Sequence, residues 1–477
     1  MLLETIFRNL ASSIGWSPDL TDRASFGGDT DPILPTCFRV GSAGAAAIAA
    51  SGLAAVDLWM QRTGRLQKVS VDVRQAAAAM RSGSYLRIDN VGVPEKYNAI
   101  MGTYRTKDGR WVYIHTNFPQ QRAAALAVLG CKEDRQAVSE AFATWNAHEF
   151  EDALVEAKGA GGVVRSPAEW RAYDQAQAIA DLPLIEIQRI GDSPIEPLRG
   201  GTRPLSGVRA IDVTRLIAGP TCARTLAEHG ADVLKISARH LPDFGTQEFD
   251  VGHGKLSTYL DLRQNTDVET LRNLVREADV FSQSYRPGAL AGLGFSPDSL
   301  IALRPGLIYV SLSAFSHIGP WASRRGYDSV IQAVTGFAAR QAEVMNGPAA
   351  APRFNPVSAI DYCAGYLLAA GAMVALKRRA VEGGSWLVRT SLAQVGKWIA
   401  ELGEVENEAL RQVPGEFPPD ELDSWSMATK APHGLLHHLK PVVRMSETPP
   451  FWIRPAVPLG YHLPDWPPRE TWTSSYN

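Results

Sequence analysis

Between residues 207 and 312 the chain alternates short β-prone runs with helical stretches, and no other feature restricts its fold as much. Strand-like segments at 208–213, 233–236, 280–281 and 307–312 are separated by helical patterns at 219–230 and 267–277. Strands spaced by helices of this length pair in parallel, because each crossover must return the chain to the same end of the sheet. The expected fold class is therefore α/β, with a parallel sheet of Rossmann-like type. Ligands of such sheets sit outside the carboxyl ends of the strands, here 214–220, 237–240, 283–288 and 313–319. No GxGxxG follows the first strand, so no nicotinamide or flavin cofactor is expected.

A second feature concerns chemistry. The apolar, helix-forming stretch 359–372 carries one acid near its start, Asp361, and the next acid is Glu382. A carboxylate in a buried helix is costly to desolvate. The free N–H groups and dipole of a helix N-terminus favour the anion, while burial raises its pKa. A dry carboxylate of this kind suits attack on an acyl group. The ordinary use of such a residue is to cap the helix, since Asp is among the best capping residues.

Composition narrows the class. Of 477 residues, 48 are Lys or Arg and 50 are Asp or Glu, so no polyanionic partner such as nucleic acid is indicated. Cys37, Cys131, Cys222 and Cys363 form no CxxC pair, which fits reduced thiols and gives neither a disulfide framework nor a metal knuckle. The stretches 41–60 and 364–376 are Ala/Gly-rich. The first holds Asp57, and the second is about half the ~20 apolar residues of a membrane span, so both read as buried helices. The N-terminus has no signal-peptide layout, and a cytoplasmic location with no membrane partner is expected.

Residues 104–115 read as a hairpin around Asp108-Gly109. Val40-Gly41-Ser42-Ala43-Gly44 aligns with Asp361-Tyr362-Cys363-Ala364-Gly365, and each is followed by an Ala-rich helix, a Gly turn and a short strand. This is a weak internal repeat, in which Val40 stands opposite Asp361.

Several stretches together resemble the class III CoA-transferases, the CaiB/BaiF group that includes formyl-CoA transferase, carnitine-CoA transferase and acyl-CoA racemases. They are residues 207–220 (GVRAIDVTRLIAGP), 226–236 (LAEHGADVLKI), Tyr285-Arg286-Pro287-Gly288-Ala289-Leu290 with Leu293-Gly294-Phe295, Gly326-Tyr327-Asp328 with Gln332-Ala333, and a tail at 454–460. The resemblance implies a Rossmann-like domain, a smaller α+β domain and an architecture of interlocked rings in a homodimer. The family order runs sheet domain, catalytic helix, small domain and return; here a helix and small domain come first, as in a fused or rearranged version. Read with the polar, Gly/Asp/Pro-punctuated first 38 residues and the proline-rich stretch 182–206, the expected organisation is an N-terminal arm (1–38), a repeat helix with the small α+β domain (39–181), a linker (182–206), a CoA-binding domain with the catalytic helix (207–400), and a tail packing back on the body (401–477).

Asp361 falls on the family's catalytic aspartate. The implied activity is an acyl-CoA:carboxylate CoA-transferase working through an aspartyl-CoA thioester, with coenzyme A as acyl carrier, a small carboxylate as second substrate and no metal. By position, Arg239, Leu260, Ser284, Ala289 and Leu293 match the CoA-binding segments. Arg286 and Lys255 are weaker candidates for its phosphates.

Departures refine this. Formyl-CoA transferase has Gln where this chain has Ile217, and its Gly-rich lid is absent, which disfavours formyl and oxalyl groups. Racemases place His at Tyr327 and Glu near Phe118; a phenol with a pKa of about 10 and a phenyl ring do not make a two-base relay at neutral pH. An isomerase, and a non-catalytic CoA-binding protein, are the alternatives. His433, His437 and His438 have no acid or thiol at ligand spacing and read as ordinary surface residues. Ser313, Ser316 and His317 lack the GxSxG context of a hydrolase.

Overall fold

The computed structural model describes residues 2–93, 97–198, 200–243, 245–410 and 412–469. Arg199 of the expected linker, and Met1 and residues 470–477 at the ends of the expected arm and tail, lie outside them.

The N-terminal segment is not a peripheral arm. Helix α1 (Leu2–Ile14) places Leu3, Ile6, Phe7, Leu10 and Ile14 on one buried face, the spacing of an amphipathic helix. Strand β1 (Ala24–Gly27) pairs in parallel with β2 (Val69–Asp72). Between them runs α2 (Val40–Thr63), buried from Val40 through Trp59. Helix α3 (Val73–Ala79) follows β2 directly.

The small α+β unit begins with the hairpin β3 (Gly102–Arg105) and β4 (Trp111–Ile114), whose turn has Gly109 at φ 77°. Helices α4 (Pro119–Leu129) and α5 (Ala147–Glu156) cover it, and β5 (Gly161–Val163) pairs antiparallel with β4. Ile100, Tyr104, Val138, Phe142 and Phe150 form its own core.

Residues 182–206 contain β6 (Glu186–Gly191), an edge strand of the main sheet antiparallel to β12 (Ser385–Ser391), so this segment is structural and not only a linker. The main sheet comprises β7 (Arg209–Asp212), β8 (Asp232–Ser237), β9 (Lys255–Tyr259), β10 (Val280–Gln283), β11 (Ile308–Ser313) and β12, with helices α6 (Ala218–Glu228), α7 (Asn265–Arg276), α8 (Asp328–Val334) and α9 (Ala359–Glu382) in the crossovers. Its order is β9–β8–β7–β10–β11–β12–β6, all parallel except β6. The chain thus has a mixed α/β fold with a largely parallel sheet. Strand order reverses between β7 and β10, which opens a crevice between the loops at their carboxyl ends. Helix α9 returns the chain from that end, so its N-terminus, with Asp361, lies there too. Helix α10 (Leu392–Glu401) follows β12.

Helices α2 and α9 pack against each other, and small residues along both permit the close approach. Both are long and apolar enough to cross a membrane, but 94% and 100% of their most apolar windows are buried within the protein, so they are core helices. At the C-terminus, the hairpin β13 (Ser426–Ala431) and β14 (Gly434–Leu439) extends a small sheet with Arg87–Ile88, and β15 (Arg444–Met445) pairs with β2.

The internal repeat is visible, with a shifted register. Both α2 and α9 have 24 residues and are followed by a glycine at positive φ, Gly64 (73°) and Gly383 (71°). The next strand ends on a residue that caps the following helix: the Asp72 side chain accepts from the Gln75 amide, and Ser391 from the Gln394 amide. Counted from each helix start, Asp361 is the third residue and so is Ser42. Ser42, not Val40, is therefore its counterpart.

Candidate active site

Asp361 is 7% exposed at the third position of α9. Its amide donates to Asp328 Oδ2 at 3.1 Å, and the Ile360 amide donates to the same carboxylate. Asp328, at the start of α8, thus caps α9 from outside, taking two of the N–H groups a helix start leaves free. Gln332 Nε2 donates to Asp328 Oδ1 and holds it in place. Burial pushes the Asp328 carboxyl up to about 6, with these hydrogen bonds working the other way. Asp361 is pushed well above the usual carboxyl range, first by burial and then by the Asp328 charge.

The small α+β unit reaches this place within the same chain. Tyr113 donates to Ser329 Oγ at 2.9 Å, and the Arg165 amide to the Ala333 carbonyl at 3.2 Å. The residue before Asp328, Tyr327, stacks on His115 at 4.1 Å and on Phe118 at 5.3 Å between ring centroids, and its hydroxyl accepts from Gln121 Nε2. The Arg215 guanidinium lies 5.4 Å over the Phe118 ring. The structure brings Tyr327 and Phe118 together, but as an aromatic stack. Burial raises the Tyr327 phenol further, and burial lowers His115 to about 4, so neither is poised as a base or acid at neutral pH.

Three arginines act electrostatically on Tyr327: Arg325, Arg215 and Arg286. They come from the loops after β11, β7 and β10, which meet only in the folded chain. Sequence reading singled out Arg286 alone. The signal for Arg215 was its place just beyond a β-strand end, whereas Arg325 lies well past the end of β11 and carried no such signal.

The remaining candidates divide. Ser284 lies at the crevice, where its Oγ accepts from the Arg215 amide at 3.3 Å and ties the two loops together. Ala289 and Leu293 are exposed on the turn that follows. Arg239 is exposed beyond β8, its guanidinium 4.7 Å over the Tyr259 ring. Leu260 is buried in the core with Leu271, Leu274 and Phe281, so it backs the sheet and does not face an open slot. Lys255 is fully enclosed: its ammonium donates to Asp212 Oδ2 and the Pro220 carbonyl, both at 2.8 Å, and does not face solvent as a phosphate ligand would. A cleft of about 170 Å³ opens at the carboxyl ends of β10, β11 and β12, lined in part by Gln283, Arg286, Ser313, His317 and Arg389.

Of the histidines in the C-terminal hairpin, His438 is buried, stacked 3.7 Å from His253, and is not a surface residue. Among the described residues no cluster of metal-ligating side chains occurs. Ser316 and His317 are neighbours in one loop, 3.3 Å apart.

The model of CoA-transferase family III matches residues 24–187 and 205–455. The chain belongs to CoA-transferase family III. This is a family of enzymes. The chain is 32% identical over 324 residues to the acetyl-coenzyme A transferase nodX of Hypoxylon pulicicidum, covering 63% of this chain and 54% of that protein. It is 25% identical to an acyl-CoA transferase of Gibberella moniliformis over 96% of this chain and 94% of that one. A crystal structure of Rv3272 from Mycobacterium tuberculosis matches 43% of this chain and 59% of that chain, at 30% identity and a TM-score of 0.39. The chain thus spans about half the length of the first relative and nearly all of the second.

Proposed function

We propose that this protein is a cytoplasmic acyl-CoA:carboxylate CoA-transferase with Asp361 as nucleophile. The observation that carries the reading is a buried carboxyl at the start of α9, its backbone held by Asp328 and its pKa raised by burial and by that neighbour. A raised pKa makes the ionised form a stronger nucleophile. An Asp361 oxygen attacks the thioester carbonyl, the C–S bond breaks and CoA leaves as thiolate, giving a mixed anhydride. The thiolate then attacks the aspartyl carbonyl, releasing the first acid and leaving an aspartyl-CoA thioester. A second carboxylate repeats the sequence in reverse and departs as its CoA ester.

The CoA moiety is anionic, and the charges of Arg215, Arg286 and Arg325 suit the crevice beside Tyr327 to receive it or the acceptor carboxylate. Ser284, Ala289, Leu293 and Arg239 remain the CoA-side candidates, at the loops the resemblance points to. The small α+β unit meets Tyr327 within one chain, which supports a site that draws on both units of the same copy.

The test is intact-protein mass after incubation with a panel of acyl-CoAs. A CoA-sized adduct on the wild type, absent from Asp361→Asn and removed by a carboxylate or hydroxylamine, supports the reading. CoA binding without an adduct from any donor contradicts it.

A further inference from the structure

The segment from Thr214 to Pro220, made of the β7–α6 loop and the first turn of α6, forms one wall of the crevice and touches the helix that bears Asp361. A Cβ added to Gly365, one turn beyond Asp361, would sit 2.5 Å from the Ala218 carbonyl oxygen. The loop is strained. Leu216 has φ 68°, a region that a leucine occupies only when its surroundings compel it. The loop also closes tightly on itself, since a Cβ on Gly219 would lie 2.4 Å from Thr214 Cβ.

What compels it lies underneath. Lys235 Nζ donates to the Thr214 carbonyl, at the loop's first residue. Lys255 Nζ donates to the Pro220 carbonyl, in the first turn of α6 that closes the segment. Between the lysines, Asp212 accepts from Lys255 at 2.8 Å and from the Thr214 amide at 2.9 Å. The Lys235 and Lys255 charges hold this carboxyl down at about 2 although burial works against it. All three side chains are buried. The space beside the lysines, bounded also by Glu248, Ser257 and Pro220, is about 10 Å³. That is barely room for one water and too small for a substrate group. Two buried lysines with no ligand-sized space beside them, each bonded to one end of a strained segment facing the site, have a mechanical use.

We propose that Lys235 and Lys255, keyed to Asp212, are positioning residues that clamp the Thr214–Pro220 loop in its strained form against the helix carrying Asp361. The inference rests on Asp361 being the nucleophile. The clamp holds the loop at both ends, and Leu216 sits at the point of strain between them.

The test measures three quantities on Lys235→Met and Lys255→Met: the single-turnover rate of CoA-adduct formation, the CoA dissociation constant, and the melting temperature. The same measurements are made on Leu216→Gly alone and combined with Lys255→Met. Glycine adopts φ near +68° without the cost leucine bears. The expected result is an adduct rate at least tenfold lower in each lysine variant, with CoA affinity within threefold of wild type. Leu216→Gly should then restore the Lys255→Met rate at least threefold without restoring its melting temperature. A merely structural lysine would not be rescued in this way. Lysine variants within twofold of wild type, a loss that Leu216→Gly does not relieve, or failure of both lysine variants to fold each overturn the proposal. A wild type that forms no adduct overturns the nucleophile assignment instead, so the two failures are distinct.

Discussion

Helices α2 and α9 begin alike. In each, a buried aspartate from a separate segment accepts from the amides of the second and third helical residues: Asp31 from Gly41 and Ser42 at 2.9 and 2.8 Å, and Asp328 from Ile360 and Asp361. They differ at the third side chain. In α2 it is Ser42, which hydrogen-bonds the capping aspartate. In α9 it is a second carboxyl, which that aspartate repels. The first arrangement solves a capping problem. The second has the same cap and adds a buried like-charge pair, which costs stability and raises the basicity of Asp361. Capping alone therefore does not account for Asp361, since α2 is capped without it.

Removing the second carboxyl of the pair, Asp361, should have the largest effect. Asp361→Asn is expected to lower adduct formation by about 10³-fold or more, as loss of a covalent nucleophile does, whereas Ser42→Ala stays within about twofold because that hydroxyl has no part in the chemistry. The same Asp361→Asn should stabilise the fold at pH 7.5 by about 1–3 kcal/mol, read by denaturant titration, because at that pH folding must either bury the Asp361 charge beside Asp328 or bind a proton the unfolded chain lacks.

The pH dependence separates the two capping aspartates. Asp328 titrates at about 6 in the folded chain against an ordinary 3.8, and Asp361 is displaced in the same direction. A carboxyl raised on folding favours the native state at low pH, and that advantage is lost as pH rises through the folded value. The gain from Asp361→Asn should therefore shrink from pH 7.5 to pH 4.5. Adduct formation should rise with pH as Asp361 ionises. Asp328→Asn, which removes the repelling charge, should move that rise to lower pH and reduce the plateau rate by about tenfold, given the weaker nucleophile. Asp31→Asn should leave the profile where it is.

The smallest expected effects distinguish how the two helices are packed. A methyl on Gly365 would meet the Ala218 carbonyl and Thr221, so Gly365→Ala is expected to cost about 1–3 kcal/mol. On Gly44 it would meet only the flexible Met80 side chain at 3.2 Å, so Gly44→Ala should change stability by less than about 1 kcal/mol, the helix preference of alanine offsetting the crowding. Paired melts of the two variants check this.

Much of this arrangement was legible in the residues. The parallel sheet followed from its strand–helix spacing, the hairpin from Asp108-Gly109, and the place of Asp361 from one acid in an apolar helix. The α1 face was also readable, from the spacing of Leu3, Ile6, Phe7 and Leu10, but the Gly/Asp/Pro-rich residues after it suggested an arm. Strand β6 was hidden because an edge strand is half exposed and, here, flanked by prolines. The repeat was visible only approximately: small residues align at several offsets, and the shift from Val40 to Ser42 needed the helix starts and the capping aspartates. The Arg215, Arg286 and Arg325 cluster and the roles of Lys235 and Lys255 depend on loops and strands far apart in the chain, which no local pattern encodes.

The most direct test of the central claim is turnover with an acceptor carboxylate labelled with ¹⁸O, followed by peptide mass analysis. Passage through a mixed anhydride leaves an acceptor oxygen on the nucleophile, so the account predicts ¹⁸O in the side chain of Asp361 and none in Asp328 or Asp31. Continued turnover with Asp361 unlabelled would contradict it.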